Sequence, residues 1–463
     1  MIFTSFTYLF FFASIFTAYW LVRKKSCQNL LLLIGSYIFY GFIHPWFCVL
    51  IATSTVVDYF CGLGMIRFPQ RRKLMLILSV TCNLSMLGFF KYFNFFAENI
   101  QEIALSFGLN MSSTTLNIVL PVGISFYTFQ TLSYTIDIYR KKLKPRKNFI
   151  DFALFVAFFP QLVAGPIERA YRFLPQIETP RKWNWDMFLS AWPLLIRGYL
   201  KKLIIADNVA IYVDKIFMLE HPTLLLLSAG SLAFAVQIYA DFSAYTDIAR
   251  ASARLLGFDL MKNFKSPYLA ITPSDFWGRW HISFSSWIRD YLYIPLGGSR
   301  VSTKKKFALV LLISLGLSGL WHGAAWHFVL WGIYHAILLF IYHRLSLTGS
   351  WVPKNKTTKF IAWTVMFVLT VFGWTIFRAS SMGWLAFALT FGFDLGLTGN
   401  SLAVSLVVLL SVAFYTLPLF VLLFLDRAIP NRKFAHALVY GLAIVAITIF
   451  FRENARDFIY FQF

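Results

Sequence analysis

Histidine exchanges its proton near neutral pH, so one held away from bulk water can take a proton from a hydroxyl and return it to a leaving group. Two histidines in this chain sit where such chemistry is feasible. His322 lies in Leu315-Gly316-Leu317-Ser318-Gly319-Leu320-Trp321-His322-Gly323-Ala324-Ala325-Trp326-His327, between the apolar stretches Phe307 to Leu320 and Phe328 to Ile341. His281 lies 41 residues earlier, in Trp280-His281-Ile282-Ser283-Phe284-Ser285-Ser286-Trp287. An ionisable side chain at membrane depth is costly and is usually retained for a job. The neighbouring Trp280 and Trp321 would keep water away. The competing reading for each histidine is a satisfied polar residue that bridges helices. Alone, the pair indicates a site and not a reaction.

A second group is Gln237, Asp241, Ser243, Thr246 and Asp247, within one apolar stretch. Buried carboxylates need partners. Arg279, Arg289 and Arg250 are the expected ones, and a structural ion pair and a functional role are both open. A third is Phe159-Pro160-Gln161-Leu162-Val163-Ala164-Gly165-Pro166-Ile167-Glu168-Arg169, whose prolines break a helix. It either lines a cavity or simply ends the helix. Glu98, Glu102, His221, His343 and His436 fall near segment ends and read as solvated or interfacial. Cys27, Cys48, Cys61 and Cys82 form no Cys-x-x-Cys pair, so neither a metal site nor a disulfide framework is expected.

The elements that must position these residues are membrane helices. The chain has 463 residues, 59% hydrophobic and only 13% charged, against about 25% charged in soluble domains. That composition predicts an all-α polytopic membrane protein. A formal charge of +22 would suggest nucleic acid in a soluble protein. Here Lys and Arg cluster between apolar segments, as cytoplasmic loops do, and no nucleic acid is expected. Met1 to Trp20 reads as a first membrane helix rather than a removed signal peptide. Spans are predicted at 2–21, 30–49, 50–66, 74–96, 117–138, 186–206, 223–248, 359–377, 402–425 and 435–451. The stretches 149–165 and 307–343 have basic clusters on both sides, so each should enter and leave on the cytoplasmic face. The longer one reads as a hairpin turning at Gly319 to Ala325, which buries His322 beside a cavity. Segment 262–300 is rich in Pro, Trp, Arg and Gly and reads as interfacial. The expected architecture is roughly 10–12 membrane helices plus re-entrant hairpins around a central tunnel. It is one domain over 1–463, with its core at about 117–345 and peripheral helices at 1–96 and 359–451.

Trp280-His281-Ile282-Ser283, then Arg289-Asp290-Tyr291-Leu292-Tyr293-Ile294-Pro295-Leu296-Gly297-Gly298, then Gly319-Leu320-Trp321-His322-Gly323 resemble the membrane-bound O-acyltransferase family. The runs Asp241 to Asp247, Phe159 to Glu168 and Phe458 to Phe463 resemble its bacterial alginate branch in particular. The resemblance implies transfer of an acyl group from a thioester to a hydroxyl or amine. It implies a tunnel narrowest near His322, with His281 on the cytoplasmic side of the same core. In the polysaccharide branch it implies outward delivery of acetyl, often completed by a separate extracytoplasmic partner with a Ser-His-Asp esterase-like fold. Two features depart from the pattern. Arg250 stands where an apolar or small residue is expected, and little lies between Gly349 and Lys359.

The expected enzyme is therefore an acetyltransferase of the cell's inner membrane, with no permanently bound cofactor. Its donor would be acetyl-CoA or another acyl thioester, with phosphates meeting Lys262, Lys265, Arg279, Arg300 and Lys304 to Lys306. His322 would act as general base and His281 would orient the thioester or stabilise charge on its carbonyl. Trp280, Trp321, Asp241, Asp247, Ser283 and Arg289 would support them. The partners are membrane lipids, the esterase-like protein and a polysaccharide acceptor such as alginate. Three alternatives stand beside this reading: D-alanyl transfer to teichoic acid from a carrier protein, O-acetylation of peptidoglycan or cellulose, and a transporter with structural histidines.

Overall fold

Inside a bilayer no water satisfies backbone N–H and C=O groups, so an apolar chain that crosses one must coil into helices or close into a barrel. A computed structural model of the chain describes residues 1–110, 115–163, 165–348, 351–390, 395, 397, 399–428, 433–451, 456, 458 and 459. Ala164, Gly349, residues 460–463 and the His436 side chain lie outside this description. Every regular element among the described residues is helical. Seven helices among them are long and apolar enough to cross a membrane: Phe47–Arg67, Pro69–Ser106, Leu224–Leu255, Lys304–His322, Trp326–Arg344, Lys356–Arg378 and Asn400–Asp426. Three shorter apolar helices, Phe6–Leu21, Phe149–Leu162 and Ala437–Phe450, accompany them. The chain is a multi-pass membrane protein.

The helices gather into two compact units. The first holds Met1–Leu189 with Ser252–Met261, and the second holds Ser190–Ala251 with Lys262–Phe463. In the first, local chemistry moves two expected spans. Helix Lys25–Gly41 stops short of Pro45, and the next begins at Phe47, so the span expected at 30–49 divides there. The span expected at 117–138 becomes helical only at Ile124, after Pro121 and Gly123. Gly123 has φ +79°, and a Cβ there would lie 2.5 Å from the Leu162 carbonyl oxygen, so only glycine fits. The stretch Phe149–Leu162 is broken before Pro160 into Phe149–Ala157 and Phe159–Leu162. At about 1.5 Å per residue it reaches only about 21 Å, short of a bilayer's roughly 30 Å. Its side chains from Phe152 to Leu162 are all buried, which fits a segment that enters and leaves on one side.

Helix Trp185–Tyr199, whose residues from Ser190 onward belong to the second unit, does not end near 206 as expected. It continues through a π-helical turn, Leu200–Ala206, into Asp207–Phe217. The stretch 307–343 forms the expected hairpin, from helices Lys304–His322 and Trp326–Arg344. The Thr303 hydroxyl caps its start by accepting from the Lys306 N–H. Each arm has 19 residues, about 28 Å, so these are full-length helices rather than a shallow loop. The turn is also tighter than expected, at Gly323 to Ala325, because Gly319 stays helical. A Cβ on Gly319 would sit 2.1 Å from the Phe328 carbonyl oxygen, and one on Gly332 would sit 2.0 Å from that of Leu315. Small residues here let the two backbones touch. Segment 262–300 spans nothing and consists of short turns, including Pro273–Trp277, Ile282–Ile288 and a π-helical turn, Arg289–Tyr293.

Candidate active site

His322 is the last residue of its helix and is 3% exposed. Four aromatic rings enclose its imidazole. The centroids of Trp321, Trp331, Phe377 and Phe284 lie 4.9, 5.1, 5.3 and 5.7 Å away. Trp331 comes from the other arm of the hairpin and Phe377 from helix Lys356–Arg378. The hairpin turn thus carries its histidine into a dry aromatic box.

His281 contacts two of the same rings, Phe284 and Trp321. It precedes helix Ile282–Ile288 and adopts left-handed φ 42° and ψ 54°, a conformation few non-glycine residues hold without surrounding support. It is fully buried against Phe242 at 4.6 Å, Phe284 at 5.1 Å and Trp321 at 6.0 Å. Burial holds its pKa down at about 3, so the ring is neutral at physiological pH. Among the described residues neither ring nitrogen has a hydrogen-bond partner. A buried neutral imidazole with both nitrogens unengaged is free to meet a ligand carbonyl.

The predicted supporting residues divide by what they touch. Ser283 donates its hydroxyl to Asn263 Oδ1 at 2.6 Å, and the Ile282 N–H donates to the Asn263 carbonyl at 2.9 Å. Together they pin the start of the helix that follows His281. Trp280 packs on Trp374 at 4.7 Å and Phe264 at 5.1 Å, shaping the core behind it. Of the partners expected for Asp241 and Asp247, only Arg250 reaches one of these carboxylates, Asp247, and lysines make the closer pairs. Asp241 pairs with Lys202 at 2.9 Å and accepts the Ile459 N–H at 2.7 Å. Asp247 pairs with Lys201 at 2.7 Å and, more distantly, with Arg250 at 3.7 Å. Arg279 and Arg289 instead bind Asp275 and Asp290. Lys202 also meets Asp207 at 2.9 Å, making a buried carboxylate–ammonium–carboxylate triad. Lys201 and Lys202 sit in the π-helical turn, and two lysines within an apolar span were a signal that could have flagged them.

A cavity of about 440 Å³ opens beside the histidines. Phe284, Ser314 and Ser318 line it, and Arg289, Tyr293 and His343 line it as well. Of the expected phosphate contacts, none lines this cavity. Lys262, Lys265 and Arg300 are exposed elsewhere on the segment, and Arg279 is held by Asp275. The basic residue on the cavity is Arg289, which is mostly exposed. Sequence reasoning also passed over Asn263 and His335, a buried histidine stacked on Phe276 and edge-on to Trp331.

Helices of membrane length that bury a histidine in an aromatic box, with a cavity lined by one of its rings, Phe284, suit a membrane-embedded enzyme. The chain belongs to the membrane-bound O-acyltransferase family, whose description matches residues 140–384, and it is an acyltransferase. It is 40% identical over 401 residues to the probable alginate O-acetylase AlgI of Pseudomonas aeruginosa, covering 85% of this chain and 75% of that one. It is 37% identical over the whole length of both chains to the protein of the same name from Pseudomonas putida. It is 34% identical to the peptidoglycan O-acetyltransferase of Helicobacter pylori, over 81% of this chain and 77% of that one.

Proposed function

We propose that this acyltransferase takes acetyl from a cytoplasmic thioester, acetyl-CoA, and passes it through the His322 site to a polysaccharide outside the inner membrane. Alginate is the acceptor this reading favours, because the relatives matched over most of the chain carry that name. The observation that carries the reading is the burial of His322 among four aromatic rings at the hairpin turn. His322 takes the proton of the acceptor hydroxyl as its oxygen attacks the thioester carbonyl. The carbon–sulfur bond then breaks, and the departing thiolate takes the proton back from the imidazolium. General-base help of this kind is worth about 10²–10⁴-fold. The imidazolium forms at the C-terminal end of a helix, where the backbone dipole favours a cation by about 0.3–1 kcal/mol.

His281, held neutral, offers an N–H to the carbonyl oxygen as charge develops on it. The pantetheine arm lies in the 440 Å³ cavity. The donor's phosphates meet Arg289 at that cavity, with Lys262, Lys265 and Arg300 on the same basic segment. An esterase-like partner outside the membrane completes delivery to the polymer. The test is label transfer from acetyl-CoA, supplied to the cytoplasmic face of membranes, into extracytoplasmic polymer. Wild type should label it, and His322→Ala, at equal protein level, should not. Equal labelling by the two would refute the role of His322. Label found in peptidoglycan rather than alginate would reassign the acceptor.

A further inference from the structure

The cavity stops one ring short of the chemistry. Phe284 lines it, whereas His281, Trp321 and His322 do not. The Phe284 ring lies stacked on Trp321 with centroids 4.1 Å apart and planes at 23°. The same ring contacts His281 at 5.1 Å and His322 at 5.7 Å. One side chain therefore lines the cavity and contacts both histidines. Reacting atoms must come within about 3–3.5 Å of each other, and neither imidazole is among the residues that line the cavity.

We infer that Phe284 is the gate between the donor cavity and His322. The geometry assigns the movement to the ring. The backbone beneath it is anchored, because Ile282 N–H and Ser283 hydroxyl both bind Asn263. The ring has somewhere to go, since a cavity of about 150 Å³ accepts a benzene-sized ring and this one offers about 440 Å³. In the stacked position it shields His322 and keeps water from an unreacted thioester. Turned into the cavity, it lets the acyl end of the donor pass to the imidazole. The gate itself stands on the cavity and the rings, and the identity of the donor rests on the function proposed above.

The test uses the full chain in lipid nanodiscs with Cys27, Cys48, Cys61 and Cys82 replaced by serine and a His322→Cys reporter. The rate of modification by a small methanethiosulfonate reagent is measured with Phe284 intact and with Phe284→Leu, Phe284→Ala and Phe284→Trp. The gate predicts slow labelling with Phe284, at least tenfold faster labelling with alanine, an intermediate rate with leucine and a slower rate with tryptophan. Equal rates across the series, or fast labelling with Phe284 intact, overturn it. Should the alanine variant unfold, the leucine and tryptophan variants still give opposite signs. In parallel, acetyl-CoA consumption without acceptor is followed in the same Phe284 variants carrying His322. It should rise in the leucine and alanine variants as water gains entry. Reporter labelling that follows the gate while no variant consumes acetyl-CoA would keep the gate and sink the donor assignment. Consumption by wild type with flat labelling would keep the donor and sink the gate.

Discussion

The hairpin that carries His322 closes through two glycines, and adding one methyl group at Gly332 should cost most of the activity. The alanine Cβ would sit 2.0 Å from the Leu315 carbonyl oxygen and 3.1 Å from the Gly316 Cα, all backbone atoms. Real Cβ atoms essentially never approach closer than 3.0 Å, so the arms must part by about 1 Å. Gly332 neighbours Trp331, whose ring walls His322 at 5.1 Å, so the parting reaches the imidazole's own enclosure. A misplacement of about 1 Å costs roughly 10²-fold in rate, or about 2.7 kcal/mol of transition-state stabilisation. Gly316 supplies the control. It lies on the same helix, and nothing stands within 4 Å of where its Cβ would be. Gly316→Ala should leave activity unchanged and add up to about 1 kcal/mol through helix propensity. Transfer of labelled acetyl in membranes, together with thermal unfolding of the purified protein, reads out both variants. Gly332→Ala within threefold of wild type, or Gly316→Ala as damaging as Gly332→Ala, would refute the close-approach reasoning.

Other consequences follow from the same geometry. Lys202→Met strands Asp207 and Asp241 without their ammonium, at about 3–5 kcal/mol; thermal unfolding should show the loss, and adding Asp241→Asn should restore part of it. At His281, glycine accepts the left-handed φ of 42° and alanine does not, so His281→Ala should be less stable than His281→Gly by about 1–2 kcal/mol. Both should lose acetyl transfer, and equal unfolding temperatures would show that the backbone there is unstrained. The pH dependence has two limbs of opposite sign. Unfolded histidine protonates near 6.5, but His281 in the folded protein only near 3, so stability should fall as pH drops below 6.5. Glu168, which accepts the Met261 N–H at 2.5 Å, is held up at about 7 by burial against an ordinary 4.5. Stability should therefore also fall as pH rises from about 4.5 to 7, and Glu168→Gln should flatten that limb in unfolding scans at several pH values.

Much of the fold was legible because hydropathy and charge are written residue by residue. The apolar runs, the basic punctuation and the Gly-flanked His322 are local patterns, and a bilayer turns local polarity directly into helix or loop. The shifts at 30–49 and 117–138 also trace to local residues, Pro45 and the Pro121–Gly123 turn, whose breaking power apolarity masked. Span 186–206 ran on past its expected end because its helix passes into a π-helical turn instead of stopping. Lys201 and Lys202 in that turn are affordable only because carboxylates from helix Leu224–Leu255 and Asp207 meet them.

By itself the sequence determined a helical membrane protein with a hairpin that turns beside His322, and it singled out His281 and His322 as the pair proposed to carry the chemistry. Composition and pattern suffice for that, since burial in lipid constrains each segment independently. The tertiary structure alone decided which charges pair, that Arg289 rather than Arg279 borders the cavity, and that Phe284 and Trp321 each contact both histidines. Those facts depend on how helices rotate and cross. Rotation is set by side-chain packing and by backbone contacts such as Gly319 on Phe328 and Gly332 on Leu315, between residues whose proximity no one-dimensional pattern records.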